Sequence, residues 1–321
     1  MSEIKQALAQ AADAARFAPS IHNTQPWRWV VRADRLELFA VTERQLVEHD
    51  PQARMLLLSC GTALHHAQVA LNAEGWTYRV ERTGAEPLAV ITPVDRRPAE
   101  PEATRHLQML QVRRTDRRTV RDEAVPEPVL TELVKTTEQA GARLHVLGRD
   151  QVLDLAVAVE RAEAAVTSDD RDRLSAELAI WVGGERPEGT GIPSSALPAK
   201  MPLTTVAERD FQTAGTVQAG DGHDRFATYA VLYGTGDSEP DWLQAGESLS
   251  ALWLAATEHA VSLLPLSAPI EVPFTRESLR RMLGGAGVPY LALRLGLQDP
   301  THTAPPHTPR LAASQVIEIQ D

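Results

Sequence analysis

Ala18-Pro19-Ser20-Ile21-His22-Asn23-Thr24-Gln25-Pro26-Trp27-Arg28-Trp29 is the stretch on which the fold of this chain turns. It stands between a helical pattern and a strand pattern. The Ser20 hydroxyl, the Asn23 and Gln25 amides and several backbone N–H groups lie in one corner, pinned by Pro19 and Pro26. Such a set can read the edge of a flat heteroaromatic ring rich in donors and acceptors. The same residue types also build ordinary helix-to-strand corners. The residues alone leave both uses open.

Outward from the corner the chain alternates helix and strand. Residues 2–18 read as an amphipathic helix with Ile4, Leu8, Ala11 and Ala15 on one stripe, stopped by Pro19. Residues 27–31 and 36–40 read as paired strands around Ala33-Asp34. Asp50-Pro51 predicts an N-cap with proline at the first helical position. The helix over 51–74 is apolar on most sides, which predicts a central, buried element. Strands follow at 76–82 and 88–92, a connector at 93–102, helices at 103–111 and 128–140, and a strand at 143–147. Residues 151–181 read as one long helix. Residues 183–224 are rich in glycine and proline and too long for a plain connector; such loops act as lids or stay disordered. A strand at 226–233, a second long apolar helix at 240–259, a short helix at 275–283 and a strand at 290–295 complete an α+β pattern.

Bulk composition narrows the classes. With 321 residues, 43% hydrophobic and 23% charged, the chain can bury a substantial core. A net charge of −11 argues against non-specific nucleic-acid or anionic-membrane binding. The single cysteine, Cys60, excludes an intramolecular disulfide and a cysteine-based zinc cage. His65 and His66 are adjacent and diverge on a helix, so no metal is expected there. Residues 1–6 do not read as a signal peptide and no apolar run reaches bilayer length, so a cytoplasmic protein is expected.

Two further patterns carry information. Gly61-Thr62-Ala63-Leu64-His65-His66-Ala67 aligns with Gly246-Glu247-Ser248-Leu249-Ser250-Ala251-Leu252, a modest internal repeat that places two apolar helices at equivalent positions. Arg113-x-Thr115-x-Arg117 sets two guanidinium forks and a hydroxyl on one side of an extended segment, which suits a terminal phosphate. A solvated charged surface is the plainer use of the same residues.

The Pro-Ser-x-x-Asn-x-Gln-Pro-Trp corner and the Arg-x-Thr-x-Arg run together resemble the nitroreductase-fold flavoproteins. Residues 16–27, Ser59-Cys60-Gly61, Trp242-Leu243-Gln244-Ala245-Gly246 and Pro265-Leu266-Ser267-Ala268-Pro269 are similar to the actinobacterial Acg-like branch of that family. The resemblance implies a nitroreductase-like fold built from two degenerate units fused in one chain, mimicking the family homodimer. The units would be residues 1–112 and 113–321, interlocked in one body, either monomeric or weakly homodimeric. Only the first has the Pro-Ser-x-x-Asn corner and only the second has the phosphate signature, so one FMN per chain is expected. The resemblance puts Arg113, Thr115, Arg117 and Arg310 on the FMN phosphate. It puts Pro19, Ser20 and Asn23 on the flavin ring, and Leu264, Pro265 and Leu266 near its reactive edge. It implies an FMN-dependent oxidoreductase taking electrons from NAD(P)H, NADPH included, to a nitroaromatic or quinone-like acceptor, with the chemistry carried by FMN. The alternative is a flavoprotein that sequesters FMN under a lid at 183–224 with little turnover. His22, inside the corner, is either a proton donor or turn packing.

Overall fold

The computed structural model describes residues 2–184, 186, 188–220, 223–285, 287–300 and 304–320. Its elements in chain order are α1 (Glu3–Ala15), β1 (Trp27–Val31), β2 (Leu36–Ala40), α2 (Arg54–Ala73), β3 (Trp76–Arg82), β4 (Ala89–Arg96), α3 (Pro101–Val112), α4 (Glu127–Gln139), β5 (Arg143–Val146), α5 (Arg149–Ala165) and α6 (Ser168–Trp181). There follow β6 (Val182–Gly183), β7 (Ile192–Pro193), β8 (Thr228–Gly234), α7 (Glu239–Glu258), β9 (Val261–Leu266), α8 (Ala268–Glu271), α9 (Pro273–Met282), β10 (Val288–Leu297), α10 (Ala313–Val316) and β11 (Ile317–Ile319).

Two main sheets form. One has the order β11-β1-β2-β4-β3, antiparallel except for the parallel β11–β1 pair; the other, β5-β8-β10-β9, is antiparallel throughout. Helix α2 packs on the first sheet, α7 on the second, and the two helices pack on each other. Both helices are buried on most sides, as their largely apolar sequences require.

Their contact is made by glycine. A Cβ added to Gly61 would lie 1.9 Å from the Leu243 carbonyl oxygen, and one added to Gly246 would lie 2.0 Å from that of Leu58. The relation is reciprocal: a shift of 185 positions carries Leu58 to Leu243 and Gly61 to Gly246. One turn on, the same shift pairs His65 with Ser250, whose Oγ lies 2.9 Å from His65 Nδ1. Residues that meet their own equivalents mark a local two-fold axis. The repeat seen in the sequence is therefore a repeat in space at this crossing.

Several boundaries differ from the sequence expectation, each for a physical reason. Residues 51–53 are not helical: Ala53 takes φ 56° and α2 begins at Arg54. Asp50 still caps the helix, accepting the Leu56 N–H at 2.9 Å. β4 runs to Arg96, into the expected connector, because it pairs with the whole of β3. The long helix over 151–181 is two helices. Val166 is extended, and the Thr167 hydroxyl accepts the Asp170 N–H to start α6. β11 was not legible as a strand; it forms by pairing with Trp29–Val31 in a distant part of the chain. It also takes the C-terminal residues into the first sheet, so the expected division at 112/113 follows the chain and not the sheets. Among the described residues no helix is long and apolar enough to cross a membrane.

Gly61→Ala tests the crossing. At an open helical site alanine would stabilise by about 1 kcal/mol. Here the new methyl meets backbone, and overpacking of this kind costs about 1–3 kcal/mol. Urea denaturation should show Gly61→Ala and Gly246→Ala each less stable than the parent; a stabilised variant would mean that the helices do not touch there.

Candidate functional site

Beside this crossing lies a cavity enclosing about 1130 Å³ of space including its mouth. It draws on distant parts of the chain. Met55, Leu58, Ser59 and Thr62 come from α2, and Leu249 and Trp253 from α7. The end of β9 and the following turn give Leu264 to Pro269. The corner after α1 contributes Pro19 to Asn23. All ten residues singled out from the sequence line it: Pro19, Ser20, Asn23, Arg113, Thr115, Arg117, Leu264, Pro265, Leu266 and Arg310.

The corner is held in an unusual conformation. His22, Asn23 and Gln25 have φ of 44°, 56° and 50°, the left-handed region that side chains disfavour. Hydrogen bonds from outside hold them. Ser20 Oγ accepts the Gln25 N–H at 2.9 Å, Ser59 Oγ accepts the Ile21 N–H at 3.1 Å, and Thr62 Oγ1 donates to the Pro19 carbonyl at 2.6 Å. Asn23 Nδ2 donates to the carbonyls of Gly191 (2.9 Å) and Pro309 (3.0 Å), and its Oδ1 accepts from Arg310. Gln25 Nε2 donates to the Gly189 carbonyl at 2.9 Å and its Oε1 accepts the Leu311 N–H at 3.0 Å. The Asn23 and Gln25 amides are thus engaged by the backbone of 189–191 and 309–311 and, at Asn23 Oδ1, by the Arg310 guanidinium.

On the cavity lining the buried Arg113 and the half-buried Arg310 converge. Arg113 stacks over Trp253, with its guanidinium carbon 4.6 Å from the ring centre. Arg113 and Arg310 both donate to the Phe17 carbonyl, at 3.4 and 3.2 Å. Nε and Nη1 of Arg113 and Nε of Arg310 have no hydrogen-bond partner. Burial, and then the neighbouring Arg310 and Arg114, push Arg113 down to about 9; burial and then Arg16 push Arg310 down to about 10. Among the described residues neither is ion-paired with a carboxylate. Unpaired buried charge of one sign is costly, and a bound anion would relieve it.

Arg117, also on the lining, has different neighbours. Arg117 lies over the Phe211 ring at 5.5 Å, and burial pushes it down to about 10 against the favourable fields of Glu208 and Asp116. Glu208 is bonded to the buried Arg294, whose other nitrogen donates to the Arg118 carbonyl at 2.7 Å. Burial pushes Glu208 up to about 7, opposed by Arg294 and Arg117. His22 has an unpartnered Nε2; burial first, then Arg209, His49 and Arg117, hold it well below the ordinary histidine range, hence neutral at pH 7. Its ring stands edge-on to Phe211 at 5.6 Å. Arg113 and Arg117 therefore share the cavity but not their surroundings.

The glycine-rich segment at 183–224 contributes Ile192, Ala207, Glu208, Arg209 and Phe211 to the lining. Residues 185, 187, 221 and 222 of the segment lie outside the described residues. Arg209 is paired with Glu271 of α8, so this segment is tied to α8 as well as to the corner. Glu208, Phe211 and Trp253 were not foreseen. The first two sit in a segment whose composition announced a loop but not its contents, and Trp253 reads as ordinary helix core.

No protein-family model matches the chain. A solved structure, the FMN-dependent nitroreductase NfnB from Mycobacterium smegmatis in complex with NADPH, aligns over 68% of this chain and 100% of its own at 17% identity and a TM-score of 0.43. A Mycobacterium tuberculosis protein named "Putative NAD(P)H nitroreductase Rv3131" is 33% identical over 307 residues, 94% of this chain and 88% of that one. "Putative NAD(P)H nitroreductase acg" of the same organism is 31% identical over 322 residues, covering 98% and 96%. Aligned at these identities over nearly its whole length, the chain belongs to the Acg-like family of nitroreductase-fold proteins.

Proposed function

We propose that the cavity holds one FMN per chain and that the protein is an FMN-dependent oxidoreductase of nitroreductase type. It would pass two electrons from NAD(P)H to a nitroaromatic or quinone-like acceptor. The observation that carries this is the pairing of the buried Arg113 with the half-buried Arg310, which have buried unpartnered N–H groups and, among the described residues, no carboxylate ion-paired with them. A terminal phosphate offers the missing charge and acceptors in one group, and Thr115 adds a hydroxyl on the same lining. The apolar walls, Leu264 to Leu266 and Pro19, leave a slot suited to a flat ring.

Arg117 belongs with the polar edge of that ring and not with the phosphate, because its neighbours are Glu208 and Phe211 while those of Arg113 are Arg310 and Arg114. The phosphate group is accordingly Arg113, Thr115 and Arg310. FMN supplies the hydride chemistry when bound, and the chain binds it, orients it and keeps water away. The names of the relatives point the same way. NAD(P)H is a cytoplasmic reductant, which is the compartment implied. In this proposal residues 1–112 and 113–321 are two nitroreductase-like units fused as a pseudo-dimer, and the chain works as a monomer.

A second function has an observation of its own. The cover at 183–224 is bonded to the corner and to the walls, which favours a protein that holds FMN and admits no nicotinamide. Anaerobic stopped-flow mixing of the holoprotein with NADPH separates the two. An enzyme should bleach the flavin within seconds. Deleting about half of 194–216 should speed reduction and release together if the cover limits access. Release that quickens while NADPH still fails to bleach the flavin would favour the holding function.

The purified protein should carry one FMN per chain, measured as flavin released on denaturation. Charge-assisted bonds are worth about 1.5–3 kcal/mol each, so Arg113→Ala and Arg310→Ala should each weaken FMN by about 10- to 100-fold. Riboflavin, which lacks the phosphate, should bind both variants as it binds the parent. Arg117→Ala should weaken FMN and riboflavin alike. Equal losses of both ligands in all three variants would remove the phosphate assignment.

A further inference from the structure

The shift of 185 positions that relates α2 to α7 can be carried into the cavity lining. It takes Thr62 to Glu247, Met55 to Pro240, and Gln68 and Arg82 to Trp253 and Ser267. Thr62, Met55, Trp253 and Ser267 all line the cavity. Their equivalents do not surround a space; they touch. Arg82 Nε donates to Glu247 Oε2 at 2.6 Å, and Gln68 Nε2 donates to Glu247 Oε1. Pro269, also on the lining, corresponds to Gly84, and a Cβ on Gly84 would lie 3.4 Å from Pro240 Cγ, the partner of Met55.

The corner agrees. In the first half eleven residues, 16–26, separate α1 from β1; in the second only three, 140–142, separate α4 from β5. Gly141 of that short turn sits against Gln244, the equivalent of Ser59, with its virtual Cβ 2.1 Å from Gln244 Nε2. The loop that walls the first cavity is missing and a longer side chain stands in its place.

We propose that Gln68, Arg82 and Glu247 occupy the second, two-fold related ligand site, so that the chain's own ion pair fills the place a ligand takes in the first half. The Glu247 side chain is 5% exposed and Arg82 is 28% exposed, so the carboxylate is the buried member of the plug. Around it stand Arg82 and Tyr78 from β3 and Gln68 from α2, with His65 one turn back on Ser250. Arg82 is the cation among them.

The test replaces the plug with the residues found on the first lining, Glu247→Thr together with Arg82→Ser. Binding of 1-aminoanthracene, a neutral planar fluorophore, is titrated against the parent and the variant under identical conditions. The variant should take up one more probe per chain than the parent. That difference does not depend on what fills the first cavity, so it stands or falls apart from the FMN assignment. Equal probe counts would overturn the plug.

Arg82→Met covers the case in which the double variant fails to fold. It leaves Glu247 buried without its cation, so the melting temperature at pH 8 should fall by roughly 5–10 °C. A carboxyl whose pKa is higher in the folded than in the unfolded state gains stability as the pH falls. Much of the loss should therefore return at pH 5. A variant that melts like the parent at pH 8, or shows no return at pH 5, would make the trio an ordinary surface pair and overturn the proposal. Two bound flavins on the parent chain would do the same.

Discussion

The close approach of Gly61 and Gly246 is the constraint on which the rest depends. It brings two helix backbones to a separation that no side chain permits. Because each helix carries one sheet, the distance between the sheets is set there too. The cavity is the space left beside that crossing, with Ser59 and Thr62 on one helix and Leu249 and Trp253 on the other. Trp253 does two jobs: it fills core between the helices and presents a ring face to Arg113. A cation held over a ring keeps its N–H edge free for another acceptor, which is why Arg113 can be buried and still offer two unpartnered nitrogens.

The left-handed corner is the second support, and it is coupled to the first. Three residues with positive φ each cost free energy on the order of 1–3 kcal/mol, offset only if the surroundings over-determine them. Asn23 joins the backbone of the cover at Gly191, the tail at Pro309 and the guanidinium of Arg310. Gln25 joins Gly189 and Leu311. One strained turn thus fixes Arg310, the chain at 189–191 and the path of residues 309–311 at once. An alanine at Asn23 would disturb all three, so its effect on ligand binding would not by itself report contact with a ligand.

Much of this was legible. The corner, the Arg-x-Thr-x-Arg run, the apolar helices and Arg310 all stand in the sequence as chemistry at recognisable spacing, and they meet at one cavity. What was not legible depends on partners far away in the chain. Alternation at 113, 115 and 117 fixes the side on which three side chains point. It says nothing of Glu208 and Phe211, which are neighbours of Arg117. The Asn23 and Gln25 amides look available until residues 189–191 and 309–311 arrive to use them. The break at Val166 and Thr167 follows a helical pattern with no glycine or proline to announce it, and β11 exists because β1 offers it an edge.

The same coupling limits how the cavity can open. Moving residues 189–191 would break the bonds from Asn23 and Gln25 and leave the left-handed corner unsupported, releasing Arg310 with it. The stretch around Glu208 to Phe211 is held otherwise, through the Glu208–Arg294 and Arg209–Glu271 pairs. Those pairs do not involve Asn23, Gln25 or Arg310, although Phe211 also meets the His22 ring of the corner. Opening at 207–211 while 189–191 stays fixed would uncover Arg117, whose ring partner is Phe211, and leave the bonds that hold Arg310 in place. A ligand anchored by its phosphate would then remain bound while its other end met solvent. That is the geometry a cofactor needs if it is to be retained and still exchange electrons with a second molecule. The resistance to opening at 207–211 lies in the Glu208–Arg294 and Arg209–Glu271 pairs and in the packing of Phe211 on His22, not in Arg113 or Arg310.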